Sequence, residues 1–111
     1  MEQLETYRQL VQQVIAEHNK YKPSHGDIEQ FTIVDTQNDR YQLGTVGWDG
    51  HRRVFGCLIH IDIKGDKIWI QYDGTEVGVA NELIELGIPK KSIVLGFQDP
   101  NPRKFTEFAV N

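Results

Sequence analysis

Isoleucine recurs at every second position on both sides of Gly65-Asp66, with Ile59, Ile61 and Ile63 before it and Ile68 and Ile70 after it. A period of two puts all five side chains on one face of an extended chain, and a Gly-Asp pair tolerates the positive φ of a tight hairpin loop. A two-residue loop there opposes Lys64 to Lys67 and fixes every further pair. Ile63 faces Ile68, Ile61 faces Ile70 and Ile59 faces Tyr72 on an apolar side; Asp62 faces Trp69, His60 faces Gln71 and Leu58 faces Asp73 on a semi-polar side. The middle of the chain is thereby committed to an antiparallel sheet with one buried face.

Three more strands are expected around this hairpin. Residues 28–36 and 40–48 join the longer pair 53–64 and 67–73, with turns at Asn38-Asp39 and Asp49-Gly50. A two-residue loop at Asp49-Gly50 mixes polar and apolar faces. A three-residue loop of Asp49, Gly50 and His51, with Gly50 in a left-handed bulge, puts Leu43 opposite Cys57 and Tyr41 opposite Ile59 on the core side. Leu4, Tyr7, Val11, Val14, Ile15 and His18 recur at spacings of three and four, which predicts an amphipathic helix over 2–20, ended by Pro23 and Gly26. A second helix is expected over 76–86, with Thr75 as its cap and Gly87 and Pro89 as its stop. Residues 93–97 read as a fifth strand, broken by Asp99-Pro100-Asn101-Pro102, and Phe105 and Phe108 should dock on the core. The order gives an α+β domain: an antiparallel β-meander of four strands plus a fifth strand, with both helices packed on one face.

With 111 residues and 39% hydrophobic content the chain sustains one core, so residues 1–111 form a single domain. Its 16 acidic against 12 basic side chains give a net charge of −4, which excludes a broad electropositive surface for polyanions. The single Cys57 permits neither an internal disulfide nor a four-thiolate zinc site, and it is expected in the core as an inert thiol. No basic leader or long apolar run follows Met1, so a soluble, unprocessed cytoplasmic protein with no membrane contact is expected.

Motifs that carry chemistry are sparse. His60 and Asp62 share a strand face and could be two metal ligands or a base with its carboxylate, but a polar cross-strand patch with Gln71 is the commoner use of such a row. His51-Arg52-Arg53 beside Trp48 is the one compact basic cluster and could take a phosphate or an acidic surface; a solvated strand end paired with Asp49 is the plainer reading. Asp73-Gly74-Thr75-Glu76 lacks the lysine and glycine spacing of a phosphate loop and reads as helix capping. The outer sheet face would carry Trp69, Leu58, Val54 and Ile33, more apolar surface than solvent favours. This excess predicts self-association, most simply as a two-fold dimer.

The run Gly47-Trp48-Asp49-Gly50-His51-Arg52-Arg53-Val54-Phe55-Gly56-Cys57 closely resembles the XisI family of excision controlling factors. The likeness continues through His60-Ile61-Asp62-Ile63, Lys67-Ile68-Trp69-Ile70-Gln71, Asp73-Gly74-Thr75-Glu76, Leu86-Gly87-Ile88-Pro89 and the tail Thr106-Glu107-Phe108-Ala109. The resemblance implies a cyanobacterial protein linked to programmed DNA excision during heterocyst development. It would act beside a site-specific recombinase and its DNA, commonly paired with a XisH-like protein. It supplies no catalytic residues and no cofactor. The expectation is therefore a non-enzymatic accessory protein whose working surface draws on Trp48, His51, Arg52, Arg53, Leu58, His60, Asp62, Trp69, Gln71 and Asp73. Two alternatives stay open: a metal-assisted nuclease subunit using His60 and Asp62, and a DNA-binding accessory factor using His51, Arg52 and Arg53.

Overall fold

The computed structural model describes residues 2–21 and 26–111. Helix α1 spans Glu2–His18 and buries Tyr7, Val11, Val14 and Ile15, the expected stripe. Pro23, one of the residues expected to end it, lies outside the described residues; Gly26 takes φ 70. Strands β1 (Asp27–Asp35), β2 (Arg40–Asp49), β3 (Arg52–Lys64) and β4 (Lys67–Asp73) form the antiparallel meander, and β5 (Ile93–Leu95) completes a sheet of order β1-β2-β3-β4-β5. Helix α1 and a shorter α2 (Val79–Glu85) cover one face. Tyr41, Leu43, Ile59, Ile61, Ile63, Ile68 and Ile70 rise from that face into the core, joined by Val79 and Leu83. Each fully buried aliphatic side chain contributes about 1.5–3 kcal/mol.

Each turn has a local cause. At the first, Asp35 Oδ1 accepts the backbone N–H groups of Gln37 (3.1 Å) and Asn38 (3.0 Å), and Asp39 takes φ 55. Arg8 fastens α1 to this turn through Nε to Asp39 Oδ1 (2.8 Å) and Nη2 to Asp39 Oδ2 (3.2 Å). The guanidinium holds the Asp39 carboxyl below the usual carboxylate range. The Gly65-Asp66 hairpin forms with Lys64 opposite Lys67 and Ile61 opposite Ile70, as its arithmetic requires, and Gly65 takes φ 61.

Two bulges correct the remaining register. The second hairpin has a two-residue loop of Gly50 and His51, with Gly50 at φ 64, so Asp49 pairs with Arg52 and Trp48 with Arg53. The extra residue is Leu58, placed far from the turn: Gly44 pairs with Cys57 and Leu43 with Ile59, and Tyr41 then meets Ile61. The expected pairs Leu43–Cys57 and Tyr41–Ile59 are not formed. Two residues then oppose one, so Leu58 joins Ile59 on the helix side. On β4 the register slips between Ile61 and His60, leaving Gln71 extra; His60 meets Tyr72 and Ile59 meets Asp73. The expected pairs Ile59–Tyr72, His60–Gln71 and Leu58–Asp73 are replaced.

The end of the chain departs further from expectation. Strand β5 stops at Leu95 and pairs parallel to β4, because α2 carries the chain back across the sheet before β5 enters. Helix α2 begins at Val79, not near Glu76, and Thr75 does not cap it. Asp73 instead reaches forward, accepting Thr75 N–H (2.9 Å) and O–H (2.6 Å) on Oδ1 and Val79 N–H (2.7 Å) on Oδ2. Residues Pro100–Arg103, expected only as a break, form a short helix α3 capped by Asp99, whose side chain accepts Asn101 N–H (2.9 Å). Arg103 is buried and donates to the carbonyls of Gly96, Gln98 and Val110. This clasps the tail against β5, where Ala109 N–H bonds Ile93 O (2.9 Å). Phe108 packs on the core as expected, whereas Phe105 stays exposed.

Candidate functional site

Neither α1 nor α2 lies on the opposite sheet face, and the register decides which side chains stand there. Alternation from Leu43 puts Gly44, Val46 and Trp48 of β2 outward, with their partners Cys57, Phe55 and Arg53 on β3 and Phe31 on β1 beside Gly44. Gly44 is required: a Cβ there would lie 2.5 Å from Cζ of Phe31, whose ring covers the backbone at this point. Phe55 is 77% exposed, Tyr72 51% and Trp48 50%, and Ile33 extends the same face on β1. Together they make an apolar field across three strands and the end of a fourth.

A polar row crosses the face beside this field. Gln42 Nε2 donates to His60 Nδ1 (3.1 Å), His60 Nε2 lies 2.9 Å from Asp62 Oδ1, and Gln71 Nε2 donates to Asp62 Oδ2 (3.2 Å). With a proton on Nε2, the His60 ring can accept from Gln42 on Nδ1 and donate to Asp62. Asp62 is buried and accepts on both oxygens within the row. The row is thus bonded within itself. Among the described residues no three His, Cys, Asp or Glu side chains converge in a way that could hold a metal ion.

The ten residues expected to form a working surface divide into three groups. Trp48, His51, Arg52 and Arg53 gather at the hairpin tip, where Arg52 pairs with Asp49 (3.3 Å) and the Arg53 guanidinium lies 5.2 Å from the Trp48 ring centroid. His60, Asp62, Gln71 and Trp69 share the outer face. Trp69 is flanked by Lys64 (4.8 Å) and Arg103 (5.5 Å), so its ring is half-buried between two cations. Leu58 and Asp73 turn to the opposite side, Leu58 onto the core and Asp73 into the loop before α2. Val54, expected on the outer face, also points away from it, since its neighbour Phe55 takes that side.

Cys57 reverses its expected position and is exposed on the outer face, its thiol donating to Ile59 O (3.3 Å). Desolvation by its surroundings still pushes the thiol above the ordinary cysteine range. Phe31, Val46, Phe55 and Tyr72 were not expected on this face. A signal for Phe55 was present: a loop of Gly50 and His51 pairs Asp49 with Arg52 and Trp48 with Arg53, the register that matches both acid to base and cation to ring at the tip. Tyr72 owes its place to the Gln71 bulge.

No helix of the described residues is long and apolar enough to cross a membrane. The XisI protein family matches residues 1–110. Among solved structures, a XisI-like protein from Anabaena variabilis ATCC 29413 is 39% identical, with 97% of this chain and 99% of that chain covered and a TM-score of 0.92. The fdxN element excision controlling factor XisI from the same organism is 34% identical, with 98% and 99% covered and a TM-score of 0.86. No curated protein matches the chain.

Proposed function

The chain belongs to the XisI family, and on that premise we propose that it is a cytoplasmic accessory factor in programmed DNA element excision, working by protein–protein contact without breaking a covalent bond. The observation that supports this reading is the outer sheet face, where Trp48, Phe55 and Tyr72 stand exposed beside a row of mutually bonded polar groups. An apolar field rimmed by satisfied polar side chains is the anatomy of a protein interface. Its partner is a XisH-like protein, through which the chain reaches the recombinase and DNA indirectly, and a second copy covers the same face in a dimer when the partner is absent. The dyad of His60 and Asp62 serves as part of the recognition surface.

Co-expression with the XisH-like protein of the same genome, followed by light scattering on the purified mixture, tests the reading. A stable complex is expected, and Phe55→Glu should abolish it while shifting the thermal midpoint little, since an exposed side chain contributes little to folding. Failure of the wild-type chain to associate with that protein or with itself at micromolar concentration would refute it. DNA cleavage that depends on added metal and is lost in His60→Ala would refute the non-enzymatic part.

A further inference from the structure

On the opposite side of the molecule, the end of α1, the loop between β4 and α2, and α2 itself enclose a hollow of about 590 Å³. A second hollow of about 210 Å³ adjoins it between the helices, sharing Glu17 and Glu82, and the two are taken together as a groove. Four carboxylates line it: Glu17, Glu76, Glu82 and Glu85. Among the described residues the neighbouring cations are few. Lys20 bonds Glu17 (3.1 Å) and His18 bonds Glu82 (2.7 Å), while neither Glu76 nor Glu85 has an ion pair among the described residues.

The rest of the lining is apolar. Leu58 forms part of the floor, placed there by its bulge, and Val14 and Leu86 line the narrower hollow. Tyr21 and Val77, 73% and 65% exposed, stand at the wider one. Gln30 of β1 also lines it, and its Oε1 is a buried acceptor with no donor among the described residues. The groove thus asks for cationic donors carried on an apolar chain.

We propose that this groove receives an extended segment of a protein partner in which Arg or Lys alternates with apolar residues. Both hollows are open to solvent, which suits a polypeptide laid across them better than a small molecule, whose sites enclose most of the ligand. Two copies meeting edge to edge at the adjoining strand β1 would oppose like charges, since it carries Asp27, Glu29 and Asp35 and no Lys or Arg. This surface is separate from the outer sheet face, and the two interfaces stand or fall independently.

Fluorescence anisotropy with a short labelled peptide alternating Arg and Leu, at physiological ionic strength, provides the test. Saturable binding to the wild-type chain is expected, weakened about tenfold in the Glu76→Lys, Glu85→Lys double variant, because reversal replaces two attractions by two repulsions. Asp66→Lys, on the far hairpin tip and 81% exposed, should change affinity less than about twofold. A peptide alternating Arg and Ser should bind several-fold more weakly. Both groove glutamates are exposed, so unchanged thermal midpoints will show that the variants fold. Equal losses from Asp66→Lys and the groove variants would overturn the proposal as diffuse electrostatics. Displacement of the peptide by free agmatine, with no benefit from leucine, would overturn it in favour of a small organic cation.

Discussion

Replacing Arg103 by Met should lower the stability of this protein by about 3 kcal/mol, although it removes a buried charge. Exchanging a buried ion pair for apolar groups is often neutral, because the desolvation of both charges is recovered. Here the partners are backbone carbonyls that remain in place. Arg103 donates Nη2 to Gln98 O (3.0 Å), Nη1 to Val110 O (3.2 Å) and, more weakly, Nη2 to Gly96 O (3.4 Å). The two shorter bonds are charge-assisted and contribute about 1–1.5 kcal/mol each after partial rehydration of the acceptors. The guanidinium over Trp69 at 5.5 Å adds about 0.5–1 kcal/mol. At about 4 °C per kcal/mol for a domain of this size, the thermal midpoint should fall by about 12 °C. Arg103→Lys, which keeps the charge without the planar fork, should fall by about half as much. Circular dichroism melting gives the midpoint, and hydrogen exchange locates the effect. Protection of the Ala109 amide, bonded to Ile93 O, should drop before that of the Ile61 amide in the middle of β3. A midpoint within about 2 °C of wild type for Arg103→Met, or a uniform loss of protection, would refute the view that this side chain clasps the tail.

Two further outcomes follow from contacts at the sheet. Gly44→Ala places a methyl 2.5 Å from the Phe31 ring and should destabilise by about 1–2 kcal/mol, with most of that recovered in the Phe31→Ala background; additive losses in urea melts would show that the ring does not lie over Gly44. The Asp39 carboxyl is held below its unfolded value of about 3.9, so its pairing with Arg8 stabilises the fold above about pH 4 and is lost as pH falls through the folded value. Urea midpoints of wild type and Arg8→Gln should therefore differ by a constant amount from about pH 5 to neutrality and converge in acid; a gap that persists at pH 2 would rule the charge pairing out.

How much of this architecture could be read from the residues depends on where the chain carries its own ruler. The Gly65-Asp66 turn pins a register that the isoleucines confirm, and the first rungs of that hairpin form as expected. The ruler fails at Leu58 and Gln71. A bulge inserts one residue into a strand without changing composition or periodicity enough to mark it, and each residue beyond it takes a different partner. Tyr72 moves outward, and Leu58 and Asp73 inward, for this reason, while Cys57 and Phe55 stand outward because the extra residue of the second hairpin lies at Leu58 and not in the loop. The parallel entry of β5 was equally hidden, since three residues of strand have no directional signature of their own. Asp73 caps α2 from six residues upstream, where local capping rules do not look. Of the outer face, the part legible in advance was the part set by alternation alone: His60 and Asp62 side by side with Gln71 in reach.

The two halves of β3 live under different constraints. From Arg52 to Cys57 only Val54 is even half-buried, whereas Ile59, Ile61, Asp62 and Ile63 are all sealed in. The tip of the second hairpin is consequently an arm whose side chains the body does not sense. If the outer face is the interface proposed above, substitutions at Trp48, Arg53 or Phe55 would rewrite what the arm recognises while the body folds as before. A lineage built on this scaffold is free to change allegiance one surface residue at a time, without passing through an unfolded intermediate sequence.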